Sequence, residues 1–375
     1  MNKKDKIING YVVSKSAEAT SDNMQWTKYH SPKGGHGFAA EDGNALFERL
    51  SGHNVEIVGV DNAKNGADLL IDGVPVQLKY CKNAYSTIEA CFDSNGIFRY
   101  NGQEIMVPKD QYQEAVLCMR EKISQGKVTN VTNPNAAETV IRKGNLTRKQ
   151  ALNMKRFATK ESLAFDVMTQ AQVAGFVGGI SACMAFVNAR RAGANYKEAS
   201  IETGKEFGKS GAKVLAVGVT TQQFLRTEVG RKTATITTHV VRKGINATCE
   251  TEIGKKVVEK IAQSVGGKVL NGAAARIVAT KAIRGNVITS TIVFAIDSVP
   301  DAFKLCTGKI SVKDFGKNRA TGAVGIAGGS VGYMAGMAIG TAIFPGVGTA
   351  VGGFIGGVLG GIGASTGTKK LMSLF

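Results

Sequence analysis

Aromatic side chains are scarce in this 375-residue chain, at 7% with a single Trp, and only 6 prolines occur. A chain that binds single-stranded nucleic acid by stacking needs aromatic platforms, so that class is disfavoured. The four His (30, 36, 53, 239) are scattered, and the six Cys (81, 91, 118, 183, 249, 306) contain no CxxC pair. Neither a zinc cage nor a disulfide framework is expected, and the chain reads as made in a reducing compartment. Lys3, Lys4 and Lys6 precede only IINGYVV, broken by Asn9 and Gly10 with no small-residue cleavage site behind it, so no secretory signal peptide is expected. Hydrophobic residues nevertheless reach 43%, with 47 Gly, so the apolar content is small and branched side chains. That excludes a disordered chain or a coiled coil, and the length suits two bodies better than one.

Acidic residues are scarce in one part only. Residues 1–150 carry 19 Lys and Arg against 17 Asp and Glu, a net of +2, whereas residues 151–375 carry 28 against 12, a net of +16. The basic excess therefore belongs to the second part, where it alternates with small apolar stretches and suits an anionic membrane surface.

Residues 1–33 are polar and aperiodic and read as a flexible tail ending at Ser31-Pro32-Lys33. From Phe38, apolar residues recur at helical spacing to Leu50, and Gly52 closes the run as a C-terminal cap. VEIVGV (55–60), ADLLI (67–71) and VPVQLKY (74–80) follow as short strands, the last two joined by an Asp72-Gly73 turn. GIFRY and QEIMV flank Asn101-Gly102 and read as a hairpin, and Pro108 introduces a helix running to Gly126. Residues 127–160 read as a basic linker, and 161–319 as a helical domain. Within it, 171–187 and 286–303 are near the lower limit of a membrane span, although the second carries Asp297.

The stretch 320–368 is different in kind. It holds 49 residues with no Asp, Glu, Lys, Arg or His, and 17 Gly, and Phe344-Pro345-Gly346 divides it into two segments of spanning length. Gly328, Gly332, Gly336 and Gly340 recur every four residues on the first segment, and Gly348, Gly352, Gly356 and Gly360 on the second. That spacing puts them on one helix face, where backbones can approach closely. In water so much glycine costs about 1 kcal/mol per residue relative to Ala, so lipid or a tight neighbouring helix is the natural environment of this glycine zipper.

Four residues carry candidate chemistry. Gln77 and Lys79 lie two apart on one strand and so share a face, Asp68 lies across the Asp72-Gly73 turn, and Glu41 comes from the first helix. Carboxylates, an amide oxygen and a Lys converging this way can hold Mg2+ (or Mn2+) and act on a phosphodiester. Tyr80, Lys82 and Lys109 are candidate phosphate contacts, and His36, beside Gly34-Gly35, reads as loop.

The run GHGFAAEDGNALFERLSGHNVEIVGV followed by GADLLIDGVPVQLKY resembles the core of the PD-(D/E)XK, restriction-endonuclease-like nuclease superfamily, in its Gln-x-Lys form, over about residues 34–126. The resemblance implies that Glu41, Asp68 and Gln77 are metal ligands and that all four residues are catalytic, with Gln77 standing where Asp or Glu is usual. The expected fold class is α+β: a restriction-endonuclease-like α/β core followed by an all-α region ending in the zipper hairpin. The expected function is a membrane-associated nuclease acting on DNA, or RNA, made in the cytoplasm and suited to a toxin, effector or anti-phage protein. Its expected partners are nucleic acid, an anionic membrane and further copies of itself joined through the zipper. The alternative is a membrane-disrupting glycine-zipper protein whose nuclease-like domain only binds nucleic acid or is inactive.

Overall fold

A computed structural model of the chain describes residues 29–30, 35–58, 65–266 and 270–318. The zipper at 320–368 and most of the tail at 1–33 lie outside them. The chain divides into two compact units, a first spanning Gln25–Phe165 and a second that holds the described residues from Asp166 onward.

In the first unit, helix α1 (Gly35–Leu50) leads into strands β1 (Val55–Ile57), β2 (Leu69–Ile71) and β3 (Val74–Leu78). After it come α2 (Ala84–Glu89), β4 (Glu104–Val107), α3 (Tyr112–Ser124), α4 (Ala137–Val140), β5 (Ile141–Lys143) and α5 (Arg148–Met154). The sheet order is β1-β2-β3-β4-β5. The first three strands form an antiparallel meander, whereas β4 and β5 are added parallel, because helices carry the chain back between them.

Alternation along the strands gives the sheet two buried faces. Leu69, Ile71 and Val76 are 1% exposed or less and lie on the face covered by α1. Ile105, Val107 and Ile141 point the other way and cluster with Val116, Met119 and Ile123 of α3. The first helix ends as the sequence implies. Gly52 takes φ +93°, and the His53 N–H reaches back to the Glu48 carbonyl at 3.1 Å.

Several expectations need correction. QEIMV is a strand, but GIFRY is not its hairpin partner: β4 is hydrogen-bonded on both sides by β3 and β5, and Phe98 and Tyr100 are buried in the α3 core instead. Helix α2 is six residues long, too short for periodicity to show in the sequence. Asn83 starts it by accepting the Ser86 N–H at 2.8 Å. The expected linker at 127–160 is folded into the first unit, since Ile141–Lys143 completes the sheet and α5 packs on α1. Gly43 allows that approach. A Cβ there would lie 2.5 Å from Leu146 Cδ1 and 2.9 Å from Met154 Cε. Within the expected tail, Tyr29 is buried and donates its hydroxyl to Asp42 Oδ2 at 2.5 Å.

The second unit is helical, as expected, with most of α6 (Lys160–Arg191), whose first residues belong to the first unit, and α7 (Tyr196–Arg226), α8 (Glu228–Thr248), α9 (Glu252–Gly266) and α10 (Gly272–Cys306). Ile245, Cys249, Val258 and Ala279 join α8, α9 and α10 in one small core. Helix α10, which contains 286–303, is long and apolar enough to cross a membrane by length and composition, a test that the central helix of a bundle also passes. Its Asp297 is paired with Lys213 of α7, at 2.8 and 3.1 Å.

Candidate functional site

Asp68 precedes β2 by one residue, and its backbone N–H bonds the Val76 carbonyl at 2.9 Å. This antiparallel register sets Asp68 opposite Gln77. The contact is direct. Asp68 Oδ2 accepts the Gln77 side-chain amide, and it also accepts the Leu78 backbone N–H at 2.7 Å. A backbone donor and an amide thus hold the carboxylate in a defined position at the point where β2 and β3 part.

Gln77 is buried and pairs with Ile105, so it faces the α3 side of the sheet. Lys79 follows on that face just beyond the end of β3. Its backbone N–H extends the parallel ladder to the Met106 carbonyl at 3.0 Å, and its ammonium lies 4.8 Å from the centre of the Tyr100 ring. Tyr100 is itself buried, so the lysine head is held over an aromatic face at an interaction worth about 1 kcal/mol.

Glu41 is buried in α1, on the layer across the sheet from Gln77. The first turn of α1 is fastened to the end of β3 by a 2.9 Å hydrogen bond between His36 Nε2 and the carbonyl of Tyr80, the residue after Lys79. The structure therefore places Asp68, Gln77 and Lys79 on one face of the sheet and leaves Glu41 in the layer across it.

Asp68 and Gln77 bring together a carboxylate and an amide, donors of the type that suits a hard divalent cation such as Mg2+. Among the described residues no group of three or more His, Cys, Asp or Glu is arranged to hold a metal. A centre here would therefore need Gln77 as a donor beside Asp68. Half a turn of that amide replaces Nε2 by Oε1 and sets two oxygens side by side, where a donor now meets a carboxylate.

Some assignments change. His36 is not loop; it lies in the first turn of α1, and burial lowers its pKa, with Arg148 and Lys155 adding to the effect against the Tyr80 carbonyl. Those two bases, contributed by α5 and its end, were hidden in the presumed linker. Tyr80 is no phosphate contact. It is buried, its hydroxyl accepts from Asn44 at 2.9 Å and donates to Leu146 at 3.2 Å, and burial raises its pKa. Lys82 and Lys109 are exposed. His53 lies in the helix-ending turn as expected, its Nδ1 2.6 Å from Asp72. All six cysteines are free thiols, and burial raises the Cys91 thiol to about 12, which removes it as a nucleophile.

Residues 16–124 match a family described as the YeeR C-terminal domain, and residues 316–367 match one described as a C13G5.2-like glycine zipper domain. A protein of Escherichia coli (strain K12) named inner membrane protein YeeR is 43% identical over 129 residues, which are 33% of this chain and 25% of that protein. The match thus spans about a quarter of the relative's length. No solved structure matches the chain.

Proposed function

We propose that the first unit is a metal-dependent nuclease of the restriction-endonuclease-like kind, and that the C-terminal part places it at an anionic membrane. The observation that carries the reading is the Asp68 carboxylate held against Gln77 and the Leu78 N–H, with Lys79 two residues along the same strand. The element order supports it: a helix followed by a three-strand antiparallel meander carries Glu41, Asp68, Gln77 and Lys79 on the elements read for them in the sequence.

In this reading Glu41, Asp68 and Gln77 would hold Mg2+ (or Mn2+), which when bound supplies the Lewis acidity that activates water and neutralises the phosphate. Asp68 is positioned for that task by the Leu78 N–H, and Gln77, with its amide turned, adds an oxygen without adding charge. Lys79 offers a fixed ammonium to the charge that develops on the phosphate oxygens. Membrane association is supported by the glycine-zipper match and by the name of the bacterial relative. DNA, or RNA, is the substrate, and a nuclease placed at a membrane suits a toxin, effector or anti-phage protein.

Full-length protein incubated with plasmid DNA and Mg2+ tests the proposal. Cleavage should be lost in Asp68→Asn and Lys79→Ala, and cleavage unchanged in both would overturn it.

A second reading is favoured by Gln at position 77, which removes one negative charge from the metal site. There the chain acts as a membrane-disrupting zipper oligomer and the first unit only binds nucleic acid. Dye leakage from anionic vesicles that survives the Asp68 and Lys79 substitutions but not Gly336→Leu or Gly356→Leu would favour it.

A further inference from the structure

The two most amphipathic helices of the second unit do not spend all of their apolar residues on its core. In α8 the buried side is formed by Gly230, Ala234 and Ile245. Roughly opposite lie Val229, Ile236 and Val240, which are 66%, 65% and 63% exposed. At 100° per residue these three fall within an arc of about 40°. Lys232 and Lys243 border that arc on one side, both exposed.

Helix α9 repeats the arrangement. Val258 and Ala262 are buried, whereas Ile253 and Val257 are 78% and 47% exposed beside Lys256 and Lys260. Exposed branched residues in single file gain nothing from water.

We propose that the exposed stripe of α8 docks on an anionic lipid bilayer, with its Val and Ile residues entering the headgroup boundary and the bordering lysines meeting lipid phosphates. An apolar arc edged by Lys is the pattern of a helix lying in a membrane interface. The charge agrees: α8 carries Arg231, Lys232, Arg242 and Lys243 against Glu228 alone. Nucleic acid fits less well. It would satisfy the lysines but leave the branched residues in water, and neither helix has a Phe, Tyr or Trp for a base to stack on. The proposal deepens the membrane half of the function proposed above and is independent of the nuclease half.

The test reads the face itself, so that binding through the zipper does not mimic it. Full-length protein with Cys183→Ser and Cys306→Ser, the two exposed thiols, carries an environment-sensitive dye on Ile236→Cys or, as control, on Thr235→Cys, which is exposed outside the stripe. Vesicles of phosphatidylcholine with or without phosphatidylglycerol contain brominated lipid as quencher. The dye at 236 should be quenched, and the dye at 235 should not, only when phosphatidylglycerol is present. Lys232→Glu with Lys243→Glu should weaken that response roughly tenfold or more. Equal quenching at both positions, quenching independent of the anionic lipid, or shielding by duplex DNA instead of vesicles would overturn the proposal. Protein that sediments with vesicles while 236 stays unquenched overturns this face alone; protein that does neither overturns the membrane half as well.

Discussion

Asp166 and Arg226 form a two-bond ion pair sealed inside the helical unit. Arg226 Nη1 donates to Asp166 Oδ2 at 2.6 Å and Nη2 to Oδ1 at 2.7 Å, with the two side chains 0% and 5% exposed. Gln223 Nε2 donates to the same carboxylate at 2.7 Å, so α6 and α7 are pinned by charge and amide together. Removing one partner leaves a buried charge uncompensated. Arg226→Met should cost about 3–5 kcal/mol, whereas Asp166→Leu with Arg226→Met should recover most of it. Urea unfolding followed by circular dichroism separates the two outcomes.

The same carboxylate makes stability depend on pH. Burial raises the Asp166 pKa to about 6 despite the guanidinium beside it. An unfolded-chain Asp titrates near about 4, so between about pH 4 and about pH 6 the folded state holds the extra proton. This group's contribution to stability is therefore greatest at the acid end and falls as pH rises through that window. The carbonyl-carbon shift of Asp166 should titrate with a midpoint near 6. The stability difference between wild type and Asp166→Asn should change over the same range, and a midpoint near 4 would refute the assignment.

Gly43 decides how closely α5 can sit on α1. Gly43→Ala places a methyl 2.5 Å from Leu146 Cδ1 and 2.9 Å from Met154 Cε, so a side chain or the helix must move. The atoms met are the ends of flexible side chains, so the expected net cost is at most about 1 kcal/mol, set against the better helix propensity of Ala. Thermal unfolding measures it, and a stabilised variant would show that α5 is free to give way.

At the candidate metal site, Gln77→Glu should tighten Mg2+ binding by restoring a carboxylate, read as a lower Mg2+ requirement for cleavage and as tighter Mn2+ binding by calorimetry. Lys79→Ala should leave metal binding intact and reduce cleavage roughly 100-fold to 1000-fold, the effect of losing one group that stabilises developing charge. Loss of metal binding in Lys79→Ala would make that residue structural.

The local pattern alone determined a good deal. Helical spacing and a closing Gly define α1, alternation and the Asp72-Gly73 turn define β2 and β3, and the two-residue spacing of Gln77 and Lys79 puts them on one face. These features depend on neighbours in the chain, so one dimension suffices to read them. What only the tertiary structure decided depends on partners distant in sequence. Residues 141–143 are too short and too polar to read as a strand, and become one because β4 offers an open parallel edge. Phe98 lies in the α3 core and not in a hairpin with β4. His36 acquires its place through a carbonyl 44 residues away, and Asp166 meets Arg226 across 60 residues. Pairing energy of that kind has no period along the chain, and so it is visible only once the chain is folded.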